Sequence, residues 1–326
     1  MNRRMNENAS LDDIRRVLLE NDRFVIAAHF NPDSDAVGSC LALGLGLKKL
    51  GKNVHVVLDS YHEKNRVIPG QELVLSGTSD EPGASVFIVL DCANAERVSD
   101  RFAYMGRAET LVCVDHHLSN SRFTRYAYLD SDASSTCELI YRLISPIIDL
   151  DPDIAAALYA GVVTDTGGFR HGCTSPETLR VAAGLLSYGI PFTDIYNTLL
   201  SRHSLTETRV LRAALNNLEL LKHNRLAVSF ISSGEMDNIN ADITDTDGIS
   251  EYMLNITGVE VSVFLYEKII NEIKASMRSS KINLSGIAVL FGGGGHKYAA
   301  GCTIKDALPE ALKRLTAAVS SAMETV

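Results

Sequence analysis

The sequence predicts an α/β protein whose N-terminal part is a doubly wound parallel sheet. Short apolar runs alternate with helical patterns over the first half of the chain, and this alternation is typical of a parallel sheet covered by helices. The length of 326 residues is that of about two domains. Further strand patterns and a final helix after residue 224 predict a second, smaller α/β domain.

Four runs in the N-terminal half are predicted as strands, at 23–29, 53–58, 85–91 and 110–115. Helical patterns cover 36–50, 133–144 and 152–165, and Pro152 after Asp151 is a typical helix start. The pattern from 190 to 224 is helical throughout. Later strands are expected at 225–231, 259–267 and 272–277, with helices at 284–291 and 308–324. We therefore expect an N-terminal domain of residues 1–190, a helical linker of residues 191–224 and a C-terminal domain of residues 225–326.

Composition and charge narrow the class of protein. Apolar residues make up 46% and charged residues 22% of the chain, as in an ordinary globular protein. The net charge of −9 argues against a long nucleic-acid groove, and therefore against long duplex DNA as a partner. Six cysteines without paired spacing indicate a reducing compartment, and the N-terminus lacks a signal-peptide pattern. We expect a cytoplasmic protein with no membrane partner, and a homodimer stays open.

The segment His29-Phe30-Asn31-Pro32-Asp33-Ser34-Asp35 follows the apolar run 24–28. It places a histidine and two carboxylates within one turn, between a predicted strand and a predicted helix. Three such acceptors repel each other unless a cation lies between them. The alternative is an Asn-Pro-Asp turn that caps the helix. That alternative explains one aspartate and leaves the second aspartate and the histidine unexplained.

Two further strands end in acids or histidines. Asp91 ends the apolar run 86–90, and Asp115-His116-His117 follows the run 111–114. Ligands of open parallel sheets bind outside the carboxyl ends of the strands, so these groups are expected to converge with His29. The alternatives are a turn acid at 91 and a purely structural Asp-His-His segment.

Asp165 ends a nearly all-apolar helical segment, 154–164. The helix dipole disfavours a carboxylate at this end, and burying it without a partner is costly. A metal ion removes both objections. The alternative is a cap on the Thr166-Gly167-Gly168 turn. Carboxylates with imidazoles and no thiolate suit Mn²⁺ or Mg²⁺ better than a structural zinc. Six ligands also suit two ions, which can clamp a phosphate for in-line attack. The candidates are His29, Asp33, Asp35, Asp91, His116 and Asp165.

The C-terminal part contains a glycine run, Gly292 to Gly295, followed by His296. Glycines allow positive φ and expose backbone N–H groups, which can form an anion-binding nest. Arg278 lies upstream and offers a guanidinium for a phosphate. No Gly-Lys-Ser/Thr follows, so the run is not a Walker loop. The alternative is a flexible turn.

Taken together, these motifs resemble the DHH–DHHA1 family of phosphoesterases from His29 to about Cys302. The resemblance rests on five motifs in the family's order. They are His29-x-x-Pro32-Asp33-x-Asp35, Asp91, Asp115-His116-His117, Asp165-Thr166-Gly167, and Asn283 with Gly292 to His296 and Ala300-Gly301.

The resemblance implies a dinuclear Mn²⁺ site in the N-terminal DHH domain, with Mg²⁺ or Co²⁺ as substitutes. One ion would be held by His29, Asp33 and Asp91. The other would be held by Asp35, Asp91, His116 and Asp165, with Asp91 shared. Asp115 would orient a neighbouring histidine, and His117 would face the scissile phosphate. The DHHA1 domain would bind substrate through Arg278, Ser279, Asn283, Gly293, Gly294, Gly295 and His296.

The compact size resembles the bacterial branch that degrades oligoribonucleotides of a few residues and 3′-phosphoadenosine 5′-phosphate (pAp). The resemblance implies that a hydroxide held between the metals attacks phosphorus, while the DHHA1 domain closes over a short nucleotide. Gly168 is a departure, since the branch often has an arginine there and this chain has Arg170 two places on. The open alternatives are a RecJ-type single-strand exonuclease, a cyclic-dinucleotide-related phosphodiesterase and a nucleotide-sensing module without turnover.

Overall fold

The computed structural model describes residues 8–75, 84–101 and 105–324, and the chain divides into two compact units, Met1–Arg202 and His203–Val326. The N-terminal unit contains five parallel strands in the order β2-β1-β3-β4-β5. The parallel sheet predicted from the sequence is therefore confirmed. Its strands are β1 (Arg23–Ala27), β2 (Asn53–Val57), β3 (Val86–Leu90), β4 (Thr110–Asp115) and β5 (Tyr126–Leu129).

Strand β5 was not predicted from the sequence. It has four residues, and only one of them is buried, so it carries neither the length nor the apolar run of the other strands. Helices cover the sheet, and their bounds are α1 (Leu11–Glu20), α2 (Ser34–Lys49), α3 (Thr136–Ile144), α4 (Pro152–Asp165), α5 (Pro176–Leu186) and α6 (Phe192–Tyr196). Short 3₁₀ segments lie at Glu63–Val67, Gln71–Leu73 and Ala95–Arg101, and a π-helical turn at Asn197–Ser201.

Helices α2 and α4 pack closely because glycines lie at their contact. A Cβ added at Gly38 would lie 2.5 Å from the carbonyl oxygen of Ala157. One added at Gly161 would lie 2.3 Å from the Cys137 sulfur and 2.4 Å from Asp35 Oδ1. Neither position can carry a side chain unless the backbone moves. These glycines therefore bring α4 against the start of α2, where Asp35 lies.

The C-terminal unit contains a six-stranded mixed sheet in the order β10-β11-β9-β8-β7-β6, in which β7 and β8 are parallel. The strands are β6 (Glu219–Leu221), β7 (Leu226–Ile231), β8 (Val261–Ile269), β9 (Glu272–Ser279), β10 (Gly294–Gly295) and β11 (Ala299–Ile304). The helices are α7 (Leu205–Asn216), α8 (Ser233–Ile239), α9 (Ile249–Leu254), α10 (Ser285–Leu290) and α11 (Leu308–Glu324), with a 3₁₀ segment at Ile243–Thr246.

The prediction of continuous helix from 190 to 224 is wrong at its end. Residues 219–221 form β6, which pairs antiparallel with β7. Three consecutive residues, Lys222, His223 and Asn224, have positive φ, which ends any helix and makes the tight turn between the two strands. The division of the chain at 190 and 224 stays a prediction. No helix among the described residues is long and apolar enough to span a membrane.

Candidate metal centre

The strand order determines where a ligand can bind the N-terminal unit. Strand β1 has β2 on one side and β3 on the other, so the chain connections leave the carboxyl ends of β1 and β3 in opposite directions. Such a switch point forms a crevice. His29 lies two residues beyond the end of β1, and Asp91 directly follows β3. Both residues therefore lie at the crevice.

Asp91 is the centre of the cluster. It is 2% exposed and has a φ of 52°, a strained conformation for a residue with a side chain. Its Oδ2 lies 3.5 Å from Nε2 of His29, and its Oδ1 lies 3.5 Å from Nε2 of His116. These distances exceed an ordinary N–H···O hydrogen bond. They approach the separation, about 3 Å, of two ligands that each lie about 2.1 Å from one cation.

The remaining predicted ligands extend the cluster on both sides of Asp91. Ligand atoms of His29, Asp33 and Asp91 all lie within 4.8 Å of one another, as do those of Asp35, His116 and Asp165. His116 also lies 3.3 Å from Asp165 Oδ2. The structure therefore brings all six predicted metal ligands into one place, although they come from four separate segments of the chain.

Asp35 and Asp91 are held by the N-terminus of helix α3. The backbone N–H groups of Thr136 and Cys137 donate to the two oxygens of Asp35 at 2.7 and 2.9 Å. The Thr136 hydroxyl donates to Asp91 Oδ1 at 3.0 Å. Neither Thr136 nor Gly161 was predicted from the sequence to belong to the site. The Ser134-Ser135 helix start was a signal for a capped helix, but it did not indicate that a distant carboxylate would occupy the cap.

The electrostatics of the cluster favour a bound cation. Burial and the neighbouring negative charge of Asp91 together raise the pKa of Asp35 to about 7. Burial also opposes ionisation of Asp91, but the nearby imidazoles of His29, His117 and His116 lower the pKa of Asp91 below its usual value. Ionised carboxylates at this density need a positive partner. Oxygen and imidazole donors without thiolate fit a divalent cation such as Mn²⁺ or Mg²⁺.

Asp115 and His117 form a second pair beside the cluster. Asp115 is fully buried, and its Oδ1 lies 2.7 Å from Nδ1 of His117. Its Oδ2 accepts a hydrogen bond from the Asn120 amide at 2.6 Å. The hydrogen bond with Asp115 raises the pKa of His117 to about 9. The imidazole is therefore fixed in orientation, and its side chain stays 30% exposed. Asn120 was not predicted from the sequence.

The structure separates the predicted substrate-binding residues of the C-terminal unit. Arg278 and Gly293 line a groove of about 390 Å³. Ser279 is buried, and its hydroxyl accepts the N–H groups of Lys281 and Ile282 at 3.0 and 2.9 Å. It therefore shapes the turn after β9. The side-chain oxygen of Asn283 accepts the N–H of Ser285 at 3.0 Å, at the start of α10.

The glycine run is built into the sheet edge. Gly294 and Gly295 pair with Gly301 and Ala300 as strand β10, and His296 is exposed beside them. A Cβ added at Gly293 would lie 2.2 Å from the carbonyl oxygen of Gly301. Strands β10 and β11 were not predicted from the sequence, and a two-residue strand of glycines such as β10 has no sequence pattern of its own.

Gly168, the departure noted in the sequence, has a structural reason. Its φ is 71°, and a Cβ there would lie 2.8 Å from the Tyr196 hydroxyl. A larger residue at 168 would need both a different turn and a displaced Tyr196. Near this turn, Nδ1 of His171 lies 3.0 Å from the carbonyl oxygen of Asp165, a contact that the sequence did not indicate. It links the turn to the end of helix α4.

The fold and the cluster define a protein with acidic and histidine side chains that could hold a metal ion at the switch point of a parallel sheet. Comparison with known proteins gives the class. The model of the DHH family, N-terminal domain, matches residues 23–162, and that of the DHHA1 domain matches residues 223–325. The chain belongs to the DHH–DHHA1 family and is a metal-dependent phosphoesterase.

Individual relatives cover nearly the whole chain. The bifunctional oligoribonuclease and PAP phosphatase NrnA of Thermus thermophilus is 32% identical over 90% of this chain and 88% of its own. The protein of the same name from Bacillus subtilis is 28% identical over 90% of this chain and 92% of its own. The crystal structure of an exopolyphosphatase-related protein from Bacteroides fragilis has a TM-score of 0.88 at 28% identity, covering 95% of both chains.

Proposed function

We propose that this protein is a Mn²⁺-dependent phosphodiesterase and phosphatase that hydrolyses short oligonucleotides and pAp. The observation that carries the proposal is the position of Asp91, whose two carboxylate oxygens face different histidines, His29 and His116, at 3.5 Å each. A carboxylate so placed can be shared by two cations. The names of the Thermus thermophilus and Bacillus subtilis relatives, each an oligoribonuclease and PAP phosphatase, supply the substrate class.

We assign the cations to two adjacent ligand sets. His29, Asp33 and Asp91 would hold one, and Asp35, Asp91, His116 and Asp165 would hold the other. Mixed carboxylate and imidazole ligands favour Mn²⁺ over Ca²⁺, which takes oxygen ligands, and over structural zinc, which commonly takes thiolates. When bound, such ions activate a water molecule and neutralise charge on a phosphate.

His117 would act on the substrate phosphate. Its ring is held by Asp115 at 2.7 Å, which leaves Nε2 as the ring atom that can reach a ligand. The hydrogen bond with Asp115 raises the pKa of His117 and so favours the charged form of the ring. A charged imidazole donates a hydrogen bond to a phosphate oxygen and stabilises the negative charge that develops there. Asp115, hydrogen-bonded by Asn120, would position the ring and would not touch the substrate.

In the C-terminal unit, we place the nucleotide in the groove that Arg278 and Gly293 line. The Arg278 guanidinium can bind phosphate oxygens, whereas in the glycine run the N–H groups of Gly292 and Gly293 already donate to backbone carbonyl oxygens. His296 is exposed beside this run and would add a donor. For Ser279 and Asn283, the hydrogen bonds within the turn and the helix start favour a supporting role behind these groups. The six cysteines are all free, which supports a reducing, cytoplasmic location.

The test is a product profile. Purified protein with Mn²⁺ is given a labelled ladder from dinucleotide to twenty-mer, with pAp alongside. We expect the highest rates for the shortest members, release of phosphate from pAp, and loss of activity with chelator. Processive degradation of the twenty-mer at the dinucleotide rate would favour a single-strand exonuclease. Binding of nucleotides without turnover at any length would overturn the enzymatic proposal.

A further inference from the structure

Glu138 is a fully buried carboxylate to which the proposed function gives no role. It is the third residue of helix α3, two positions after Thr136. Its Oε1 forms an ion pair with Arg142, one turn further along the same helix. Burying an acid is costly unless the acid is both paired and hydrogen-bonded. The partners of its other oxygen therefore matter.

The second oxygen of Glu138 joins the starts of two helices. Oε2 accepts hydrogen bonds from the N–H and the hydroxyl of Ser134 at 3.2 and 2.6 Å, just before the N-cap of α3. It also accepts a hydrogen bond from the hydroxyl of Thr178 at 2.8 Å. Thr178 is the third residue of helix α5 and is itself fully buried. Glu138 therefore fixes the start of α3 to the start of α5.

The start of α3 supports one side of the metal cluster. Its first two N–H groups donate to the two oxygens of Asp35 at 2.7 and 2.9 Å, and the Thr136 hydroxyl donates to Asp91 at 3.0 Å. Donors at a helix N-terminus fix the orientation of a carboxylate and stabilise its charge. A displacement of this helix start would therefore move Asp35 and Asp91.

The start of α5 is connected to the other side of the cluster. Asp165 ends α4, and residues 166–175 lead from it to α5. Within this segment, Nδ1 of His171 lies 3.0 Å from the carbonyl oxygen of Asp165. The N–H of Thr174 donates to the carbonyl oxygen of His171 at 3.0 Å, and the next residue, Ser175, caps α5. The Glu138–Thr178 contact thus fixes the segment after Asp165 to the helix that holds Asp35.

The separation of Asp35 and Asp165 matters because both belong to one proposed ligand set. Their ligand atoms lie within 4.8 Å of each other. Two carboxylates at this distance repel each other, so the surrounding structure must keep them together before a cation binds. Hydrogen-bond partners behind the ligands serve this purpose in metal sites.

We propose that Glu138 and Thr178 are positioning residues of the metal centre. Their hydrogen bond, the Glu138–Thr178 brace, holds the starts of α3 and α5 together and so keeps Asp35 and Asp165 at the separation that one cation requires. The brace acts on metal affinity and touches neither metal nor substrate. This inference rests on the proposed function, because it needs Asp35 and Asp165 to share a cation.

The test compares Thr178→Val, which removes the hydroxyl and keeps the side-chain shape, with Thr178→Ser, which keeps the hydroxyl. The Thr178 hydroxyl also accepts the N–H of Ser175 at 3.2 Å and so contributes to the cap of α5. Ser175→Ala is therefore the matched control. It removes the hydroxyl that accepts the N–H of Thr178 at 3.1 Å, and it weakens the same cap without touching Glu138.

Each full-length protein is stripped with chelator and titrated with Mn²⁺ by calorimetry, and the Tm of the metal-free protein is measured alongside. Loss of a supporting partner lowers metal affinity by about tenfold or more. We therefore expect Thr178→Val to raise the apparent Kd for Mn²⁺ about tenfold and Thr178→Ser to keep the wild-type Kd. Ser175→Ala should lower the Tm and leave the Kd unchanged.

A merely structural role of Thr178 would lower the Tm of Thr178→Val and leave its Kd for Mn²⁺ at the wild-type value. That result, or an equal rise of the Kd in Ser175→Ala, overturns the brace. Hydrolysis of a labelled dinucleotide is measured in parallel at saturating Mn²⁺. A wild-type protein that binds Mn²⁺ and hydrolyses no nucleotide overturns the proposed function, while the comparison of Kd values still decides the brace.

Discussion

The cluster around Asp91 is enclosed, whereas the groove of the C-terminal unit is open to solvent. Asp35, Asp91 and Asp115 are at most 2% exposed, and each accepts hydrogen bonds that fix it. Arg278 and Lys274 are half-buried side chains on one strand. Carboxylates that share cations must be held rigidly against their mutual repulsion. Flexible cations on a sheet face need only reach a substrate. We therefore expect substitutions in the cluster to abolish turnover and substitutions in the groove to weaken binding.

The largest effect is expected for Asp91→Ala, because the proposed function shares this carboxylate between both cations, on the ground that its two oxygens face His29 and His116. Turnover of every substrate should fall about a thousandfold or more, and the bound metal measured by mass spectrometry should fall with it. The matched control is Asp22→Ala, which removes an aspartate that is 86% exposed. An Asp91→Ala protein with substantial activity would contradict the shared-cation arrangement.

Thr136→Val sharpens the comparison, since it keeps the shape of the side chain and removes only the hydrogen bond to Asp91 at 3.0 Å. Loss of such a supporting hydrogen bond typically lowers metal affinity or activity 10–100-fold. We expect a loss of that order, with partial recovery at high Mn²⁺. An unchanged metal affinity and an unchanged rate would show that the cluster does not depend on this support.

Gly161→Ala tests whether close helix packing holds Asp35 in place. The added methyl would meet Asp35 Oδ1 at 2.4 Å, so we expect a destabilisation of about 1–3 kcal/mol and roughly a tenfold loss of activity. Denaturant unfolding and initial rates measure both. Gly286→Ala is the control, because that helical glycine has open space around its Cβ position. Equal stability of the two variants would contradict the packing argument.

In the groove, Arg278→Ala should raise KM about tenfold and lower kcat, because in the proposed function the groove both binds and positions the substrate. His296→Ala should act in the same direction. Metal content should stay at the wild-type level in both variants, and Arg314→Ala on α11 serves as the control. Loss of metal from either groove variant would contradict the expectation that the groove affects substrate binding and the cluster affects metal binding.

The smallest expected effect is a pH dependence of the free energy of unfolding of the metal-free protein. Asp35 and His117 have pKa values raised to about 7 and about 9, so the folded state binds more protons than the unfolded chain. Metal-free protein should therefore lose stability as pH rises from about 4 to about 9. Metal binding strengthens over the same range, because ligands must be deprotonated. The difference in Tm between metal-loaded and chelated protein should widen from pH 5.5 to 8.5, and a constant difference would contradict this linkage.

The sequence alone predicted the parallel sheet and the convergence of all six candidate metal ligands. Strand ends can be read from apolar runs, and residues that follow the carboxyl ends of parallel strands lie at one edge of the sheet. His29, Asp91 and His116 could be placed together on this ground. Asp165 was identified because a carboxylate at the end of an apolar helix needs a partner.

Only the tertiary structure decided what holds and surrounds these groups. Thr136 and Gly161 are distant in sequence from Asp35 and Asp91, and neither has a residue type that by itself indicates a functional site. Their importance comes from hydrogen bonds and close approaches between helices, which are long-range contacts. The strand register that places Tyr266 and Thr303 opposite Lys274 was likewise decided by the folded sheet. A single strand does not encode its register, because register arises from the pairing of whole strands.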